Sequence, residues 1–326
     1  MYPLKFETIF KDKIWGGQKI KTVLGKDFGD LPNCGETWEI SGVDGNESVV
    51  AEGPLAGQNL QELIQQYQGQ LVGERIYQQF GDRFPLLVKF IDANADLSIQ
   101  VHPDDELAQQ RHNSFGKTEM WYIFQADEGA SLISGFNQSM DREKYLRYFE
   151  EGKLLDILNR EPVQDDDVFF LPAGRVHTIG KGLLLAEIQQ TSDITYRIYD
   201  FDRRDAEGNT RELHVEEALD AIDYQHYDHY KSQYDPKTNE PVLLASCPYF
   251  ETYRLDYTQD VTRTYTNRDS FTIYVCTEGQ ASLFCQGQAY PVEKGDAYLI
   301  PASIPEVVIK TTGGFNMLES FVPTGK

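Results

Sequence analysis

Two motifs occur twice in this chain, in the same order, and this repeat restricts the possible folds more than any other feature. The first, a short apolar strand followed by Glu-Gly and a second strand, spans residues 122–132 and returns at 273–283. The second, Asp167–Ala173, returns as Asp296–Ala302. Short strands separated by Gly and Pro turns are typical of β-barrels, and a repeated set predicts two homologous barrels. We therefore expect a mainly β protein with two jelly-roll barrels.

Four side chains of the first repeat have the chemistry of metal ligands. Gln100 and His102 lie on one predicted strand, Glu119 lies on a later strand, and His177 follows a Pro/Gly turn. Two imidazoles, a carboxylate and a carboxamide oxygen suit a divalent transition metal, and zinc, iron, manganese and nickel all remain open. The motifs His-x16-Glu and Pro-x-Gly-x-x-His together are those of the cupin barrel, whose strands bring distant residues together.

The predicted strand that carries His102 has a polar face. Alternation places Ser98, Gln100 and His102 on one face and Leu97 with the other apolar side chains on the opposite face. Because further polar residues occupy single strand faces downstream, we expect the polar face to look into a site rather than into solvent. In the same way, residues 183–189 place Leu183, Leu185, Glu187 and Gln189 together on one face.

The second repeat lacks the candidate ligands. The position five residues after its proline, where the first repeat has His177, is Glu306, and no histidine follows His229. The predicted fold is therefore mainly β, with two cupin-type (jelly-roll) barrels, the first metal-binding and the second degenerate, and a helical insertion. The predicted units are a metal-binding cupin domain at 1–136 and 161–205, the insertion at 137–160, a helix and linker at 206–240, and a cupin-like domain at 241–326.

Periodic apolar residues predict helices outside the repeats. Residues 59–80 follow a helical period, with Leu60, Ile64 and Leu71 on one stripe. A mostly helical segment is expected from about Asp141 to Arg160, packed on the outside of the first barrel.

The composition restricts the partners. A net charge of −22 excludes nucleic acid and anionic membranes, because both require a basic surface. The same negative charge would repel a phosphate-bearing substrate, so the binding site for such a substrate would need a local group of Lys and Arg side chains. The sequence has neither a leader pattern nor a run near the roughly 18 apolar residues of a membrane span. Its four cysteines have no CxxC pairing and fit reduced thiols. We expect a cytoplasmic protein, monomeric or weakly dimeric.

Seven segments, in the right order and over nearly the whole chain, resemble the type I mannose-6-phosphate isomerases of the short bacterial kind. They are Trp15–Gly17, Gly35–Glu39, Leu97–Pro103, Lys117–Trp121, Pro172–His177, Glu187–Arg197 and Arg211–His214. The resemblance implies one zinc ion held by Gln100, His102, Glu119 and His177, with Arg197 in the active site. The family usually has Lys-Pro-Glu in the central motif. Thr118 replaces the proline here, which we expect to alter turn stiffness rather than chemistry.

The chemistry that the resemblance implies is the conversion of mannose 6-phosphate to fructose 6-phosphate through a cis-enediol. Zinc would polarise the substrate carbonyl. We assign proton transfer to Glu187, with Lys117 or a metal-bound water as competing bases. Arg197, with Lys117 or Lys89, is expected to hold the phosphate or the developing charge. A plain ion pair between Glu187 and Arg197 is the alternative for those two residues.

Three further residues are expected to bind substrate: Lys89, Ser98 and Trp15. Lys89 lies inside a short apolar run directly before the predicted strand that carries Gln100 and His102, so we expect it to face the cavity. The alternative is that its apolar stem is buried while its ammonium group reaches solvent. Ser98 shares the polar face of the metal strand. Trp15 lies beside two glycines and either lines the sugar pocket or packs in the core.

Two functions of other classes remain open from the sequence. A cupin with two histidines and one carboxylate could be a non-haem iron oxygenase, but Gln100 beside Lys117 and Arg197 favours a sugar phosphate over dioxygen. A non-catalytic sugar-binding cupin is the other possibility. The first repeat retains every ligand, which favours an enzyme.

Overall fold

The computed structural model of the protein describes residues 1–205 and 207–324, and the mainly β fold is confirmed. The strands up to residue 205 are β1 Ile9–Lys11, β2 Glu36–Ile40, β3 Gly42–Val43, β4 Asn46–Glu47, β5 Leu86–Ala93, β6 Ile99–Val101, β7 Glu119–Ala126, β8 Ser131–Phe136, β9 Leu158–Pro162, β10 Val168–Leu171, β11 His177–Thr178, β12 Leu183–Gln190 and β13 Tyr196–Tyr199. The later strands are β14 Pro241–Ser246, β15 Glu251–Tyr257, β16 Val261–Thr264, β17 Thr272–Cys285, β18 Gln288–Glu293, β19 Ala297–Ile300, β20 Glu306–Lys310 and β21 Phe315–Phe321. The α-helices are α1 Lys19–Thr22, α2 Leu60–Tyr67, α3 Gly69–Val72, α4 Glu74–Phe80, α5 Asp105–His112, α6 Arg142–Glu150 and α7 Val215–Ala221, with a 3-10 helix at Leu154–Ile157.

Two sheets of the first part enclose an apolar core. A six-stranded sheet has the order β1-β2-β5-β12-β7-β10, and a five-stranded sheet has the order β13-β6-β11-β8-β9. Leu183 and Leu185 of β12 share this core with Leu132 of the opposite sheet. The alternate residues Leu184 and Ile188 belong to a different core on the other face of β12. The predicted alternation along β12 is therefore confirmed, and it points Glu187 toward the space between the sheets.

The outer faces of both sheets are also covered. Val88 of β5 packs in one core with Leu60 of α2 and with Leu318 of β21, so the six-stranded sheet lies between the enclosed core and the later strands. Ile99 and Val101 of β6 pack in another core with side chains of α6, the 3-10 helix and α7. The helical segment after residue 141 thus lies on the outside of the five-stranded sheet, as expected.

The helix predicted over residues 59–80 is divided into α2, α3 and α4. Gln68 and Gly73, both with positive φ, separate the three helices. A Cβ atom at Gly73 would lie 2.6 Å from the carbonyl oxygen of Asp269, so glycine is required by this close approach as well as by φ. Asp269 in turn accepts hydrogen bonds from the backbone N–H groups of Glu74 and Arg75 at the start of α4. The apolar period continues across the breaks because the apolar side chains of all three helices pack in one core.

The segment expected to be mostly helical, 141–160, is helical only in part. Helix α6 ends at Glu150 and is followed by Gly152, which has positive φ. The 3-10 helix then leads into β9, which pairs with β8. Over so few residues, the spacing of the apolar side chains does not distinguish a strand from a helix that packs on the same core.

Strands β14 to β21 form one eight-stranded sheet, called here the C-terminal sheet. Its own core contains Leu283, Val307 and Met317. Glu306, which replaces the histidine of the first repeat, is exposed at the start of β20. A mutual pair of backbone hydrogen bonds between Leu4 and Leu299 ties the chain start to this sheet. None of the helices in the described residues is long and apolar enough to cross a membrane.

Candidate active site

The five-stranded sheet carries a row of polar side chains across three strands. Gln100 of β6 is the cross-strand partner of His177 on one side and of Arg197 on the other. Cross-strand partners on one face have Cβ atoms about 5 Å apart, so the register alone brings these three together. His102 directly follows β6 and is 2% exposed. One expectation for this strand is wrong: Leu97 packs in the enclosed core rather than with Ile99, because β6 begins only at Ile99.

The six-stranded sheet supplies the opposite wall of the site. Glu187 of β12 is the cross-strand partner of Lys89 on β5 and of Trp121 on β7. Glu119 begins β7, two residues before Trp121, and therefore lies on the same face. Both carboxylates are almost fully buried, with Glu119 at 0% and Glu187 at 3% exposure.

His102, Glu119 and His177 converge from the two sheets into one buried cluster. One ligand atom from each lies within 4.8 Å of the others. Glu119 Oε1 is 3.3 Å from His177 Nε2, and Glu119 Oε2 is 3.7 Å from His102 Nε2. Among residues 1–205 and 207–324 no other set of three His, Cys, Asp or Glu side chains meets in this way.

Backbone carbonyls orient both imidazole rings. The Nδ1–H of His102 donates to the Ile194 carbonyl at 2.9 Å, and that of His177 donates to the Arg175 carbonyl at 2.8 Å. Each ring therefore presents the lone pair of Nε2 to the cluster, in the arrangement that proteins use to fix metal-binding histidines. Burial lowers the pKa of His177 to about 4 and the pKa of His102 well below its ordinary value, so both rings are neutral at pH 7.

Glu119 has the environment of a carboxylate that needs a cation. Neither of its oxygens accepts a hydrogen bond, and His102 Nε2 likewise has no partner. The ammonium group of Lys117 lies 3.4 Å from Oε2. Burial, and then the negative charge of Glu187, raise the pKa of Glu119 to about 8. Buried polar atoms without partners are costly, and a divalent cation among these nitrogen and oxygen atoms would satisfy all of them, so the residues fit a metal.

Gln100 lies beside the cluster, and its amide nitrogen rather than its amide oxygen points toward His177. Its Nε2 is 3.3 Å from His177 Nε2, and its Oε1 accepts a hydrogen bond from the Ser98 hydroxyl at 3.4 Å. The amide nitrogen is not a metal ligand, whereas the oxygen is. A half-turn of the amide would bring Oε1 to the cluster and leave Nε2 to donate to Ser98, since a hydroxyl both donates and accepts.

Glu187 is held at both oxygens. Lys89 Nζ lies 3.1 Å from Oε1, and the indole N–H of Trp121 donates to Oε2 at 2.9 Å. Burial opposes ionisation of Glu187, but the positive charges of Lys89 and Lys117 outweigh it and lower the pKa of Glu187. Glu187 is therefore an ionised acceptor whose ion-pair partner is Lys89. The alternative of a simple pair with Arg197 is wrong, because the side chain of Arg197 instead donates to the Glu212 carbonyl at 2.7 Å.

An open pocket of about 460 Å³ lies against the cluster. The pocket is lined by every residue that the sequence predicts to be catalytic or to bind substrate: Trp15, Lys89, Ser98, Lys117, Glu187 and Arg197. Gln100 lines it as well and connects it to the buried histidines. A larger cleft of about 790 Å³, beside Gly17 and Lys181, shares none of these residues. We place the site at the smaller pocket because Gln100 and Lys117, which contact His177 and Glu119 of the cluster, line it.

Several pocket residues were not predicted from the sequence. Lys11, Lys13 and Arg211 add positive charge to the lining, and Glu36 lies on its wall. Arg211 is anchored by Asp200. Burial raises the pKa of Glu36, but Lys89 and Lys13 outweigh this and lower it to about 2. Glu36 and Arg211 occur inside the motifs that carry the family resemblance, whereas Lys11 carries no local sequence signal.

The fold and the cluster define a protein of the cupin class with a buried His-Glu-His group that could bind a metal. Residues 3–126 match the family phosphomannose isomerase type I, catalytic domain, and residues 240–318 match the mannose-6-phosphate isomerase cupin domain. The chain belongs to the type I phosphomannose isomerase family.

Curated relatives and a solved structure extend this similarity to nearly the whole chain. The chain is 38% identical over 313 residues to mannose-6-phosphate isomerase ManA of Bacillus subtilis, covering 93% of this chain and 94% of the relative. It is 35% identical over 306 residues to mannose-6-phosphate isomerase of Streptococcus mutans, covering 93% of each. The crystal structure of the mannose 6-phosphate isomerase from Bacillus subtilis matches with a TM-score of 0.87 and 32% identity, over 98% of this chain and 99% of that one.

Proposed function

We propose that this protein is a zinc-dependent isomerase that interconverts mannose 6-phosphate and fructose 6-phosphate through a cis-enediol. The single observation that carries the proposal is the buried triangle of His102, Glu119 and His177, whose inward atoms lack hydrogen-bond partners at His102 Nε2 and at both Glu119 oxygens, in a chain of this family. A mixed nitrogen and oxygen set without thiols suits zinc, which has no redox chemistry of its own.

Four residues would hold the zinc ion: His102, Glu119, His177 and, after the half-turn of its amide, Gln100. A bound zinc ion supplies Lewis-acid polarisation of the substrate carbonyl and stabilises negative charge on its oxygens. The chain prepares this site by fixing both Nε2 lone pairs through backbone carbonyls. It also packs buried apolar side chains beside the site, and low polarity strengthens charge interactions there.

The isomerisation moves one proton between neighbouring carbons of the open-chain sugar. Glu187 accepts the proton from C2 as the C2–H electron pair becomes the C1–C2 double bond, the C1–O1 π pair moves to O1, and O1 takes a proton from solvent water in the open pocket. In the second half the O2–H proton returns to solvent, its electron pair forms the C2–O double bond, and the C1–C2 π pair takes the proton back from Glu187 at C1. Lys89 and Trp121 keep the carboxylate ionised before it accepts the proton and hold it in place during both halves. Such base catalysis contributes about 10²- to 10⁴-fold in rate.

The competing base, Lys117, is supported less well. Its ammonium group lies 3.4 Å from Glu119 Oε2 and the residue is 5% exposed, so its nitrogen is paired with a carboxylate of the cluster. In that position it would stabilise negative charge on the substrate oxygens during the reaction.

The phosphate is proposed to bind at the cationic part of the pocket. Arg197 and Arg211 both line it, with Lys13 on the wall of the six-stranded sheet. The Nε atom of Arg197 is buried without a hydrogen-bond partner, so the guanidinium retains a donor for a phosphate oxygen. This local gathering of cations answers the requirement set by the net charge of −22.

The two alternative functions are less well supported. An iron oxygenase requires open coordination positions for dioxygen, whereas the lining of this pocket is rich in lysine and arginine, which suits a phosphate. A non-catalytic sugar-binding cupin would have no use for an ionised carboxylate held between a lysine and an indole.

The test is an assay with mannose 6-phosphate before and after treatment with a chelator. We expect turnover by the purified protein, its loss on chelation, and its return with one equivalent of zinc. Retention of full activity in protein shown by elemental analysis to be free of divalent metal would contradict the proposal. Oxygen consumption with ferrous iron and no isomerisation would favour the oxygenase instead.

A further inference from the structure

Trp121 contacts two functional side chains of the site at once. Its indole N–H donates to Glu187 Oε2 at 2.9 Å. The edge of the same ring packs against the imidazole of His177, with centroids 5.3 Å apart and the planes at 78°. The tryptophan is 0% exposed and does not line the pocket, so it acts on substrate only through its neighbours.

The C-terminal sheet contains the same pair in the same register. Trp121 lies opposite Glu187 on one side and opposite Phe169 on the other. Tyr274 lies opposite Glu319 and opposite Tyr298 in the corresponding strands β21 and β19. The hydroxyl of Tyr274 donates to Glu319 Oε2 at 2.9 Å. Both halves of the repeat therefore hold a buried carboxylate by an aromatic donor on the adjacent strand.

The two carboxylates differ in how many hydrogen-bonding positions are left. Glu319 accepts two bonds from Arg263, one from Arg268 and one from Tyr274. This fills the roughly four lone-pair sites of a carboxylate. Within the described residues, Glu187 accepts one bond from Lys89 and one from Trp121. Its remaining lone pairs are free on the side where it lines the pocket.

We propose that Trp121 is a positioning residue for proton transfer: its N–H fixes the plane of the Glu187 carboxylate so that the free lone pairs face the sugar carbons. The proposal rests on the function proposed above. In both halves of the repeat an aromatic side chain donates a hydrogen bond to the buried carboxylate. The second half adds two arginines to this donor, whereas the first half adds only one lysine, so Glu187 keeps lone pairs for chemistry. Lys89 and Trp121 donate to different oxygens of Glu187. Loss of either donor therefore lets the carboxylate rotate away from the geometry needed for reaction.

The test compares Trp121→Phe with Trp121→Tyr. The two new side chains are nearly equal in size, but only tyrosine can donate a hydrogen bond, as Tyr274 does in the other half. We expect kcat of the phenylalanine variant to fall about tenfold or more, with KM and zinc content within twofold of wild type. The tyrosine variant should recover part of kcat. Deuterium at C2 of the substrate should slow the phenylalanine variant more than wild type, because proton transfer then limits the rate.

Tyr274→Phe is the matched control, because it removes the same kind of donor from Glu319 and should leave kcat unchanged. Equal kcat for the two Trp121 variants, or a kcat within twofold of wild type in both, would overturn the proposal. Loss of zinc or of the folded state in both would assign Trp121 a purely structural role and overturn it as well. Failure of the wild-type protein to turn over mannose 6-phosphate would instead refute the proposed function.

Discussion

Two buried carboxylates of the site, on neighbouring strands, have opposite pKa shifts because their contacts differ. Glu187 has an ammonium group and an indole N–H on its two oxygens, which stabilise the anion. Glu119 accepts no hydrogen bond, and burial raises its pKa. Two carboxyl groups of one site can take different roles when their environments move their pKa values apart. These environments suit the proton transfer proposed for Glu187 and the metal binding proposed for Glu119.

Replacement of Glu187 by glutamine is expected to lower kcat by about 10²- to 10⁴-fold, because it removes the proton acceptor without changing the size of the side chain. Zinc content should stay at one ion per chain. The matched variant Glu119→Gln should instead lose zinc, because an amide is a weaker ligand for the metal. Steady-state kinetics with elemental analysis on both variants checks this, and nearly intact turnover in Glu187→Gln would remove Glu187 as the base.

The lowered pKa of Glu36 predicts a pH dependence of stability. In the folded protein this pKa is about 2 against an ordinary value of 4.5, so the ionised carboxylate stabilises the folded state above the ordinary value. This stabilisation is lost as pH falls from about 5 to about 2. Glu36→Gln should therefore flatten the acid side of a plot of Tm against pH, while Glu128→Gln, at an exposed position, should not. Identical plots for wild type and Glu36→Gln would contradict the assignment.

At the scale of the element, β12 shows how one strand serves two purposes. Leu183, Leu185 and Glu187 face the site, and Leu184 with Ile188 packs in the core shared with the helices and the C-terminal sheet. A slip of one residue would exchange these two sets. The register is fixed because β12 pairs along its whole length with β5.

Leu184→Ala should separate stability from catalysis. Leu184 is 0% exposed, and its truncation leaves a cavity on the far face of β12, so the free energy of unfolding should fall by about 2–5 kcal/mol. Under conditions where the variant remains folded, kcat should match wild type, because no site residue changes its contacts. Urea denaturation followed by tryptophan fluorescence gives the first quantity and steady-state kinetics the second. A large loss of kcat in fully folded variant would show that the two faces are coupled.

At the scale of the whole molecule, the two halves of the repeat have divided their roles. The candidate metal cluster and the pocket lie in the first half, whereas the C-terminal sheet has a carboxylate whose hydrogen-bonding capacity is filled by protein groups. Its strand β21 shares a core with the outer face of the six-stranded sheet. The second half thus contributes support to the sheet that carries Glu119 and Glu187.

Glu319→Gln is expected to destabilise the protein by about 3–5 kcal/mol, because it leaves Arg263 and Arg268 without their buried counter-charge. The kcat of the folded variant should be unchanged. Thermal unfolding and kinetics on the same preparation check this division of roles. A variant as stable as wild type would contradict the role of Glu319 as the counter-charge of the two arginines.

The sequence predicts local pattern and repeat well, and long-range geometry less well. The mainly β fold follows from the repeat, and the faces of β12 follow from alternation. The breaks at Gln68 and Gly73 were not predicted, because the apolar period continues across them and the close approach of Asp269 is a long-range contact. Pocket residues such as Lys11 were missed for the same reason, since β1 reaches the site only through its pairing with β2.

Titration of metal-free protein with zinc tests whether His102, Glu119 and His177 bind one metal ion. Calorimetry should give one equivalent of tightly bound zinc for wild type and for His226→Ala, whose histidine is exposed. The same titration should give no tight binding for His102→Ala or His177→Ala. Zinc binding by these two variants as in wild type, or no tight binding by wild type, would show that these residues do not form a zinc site.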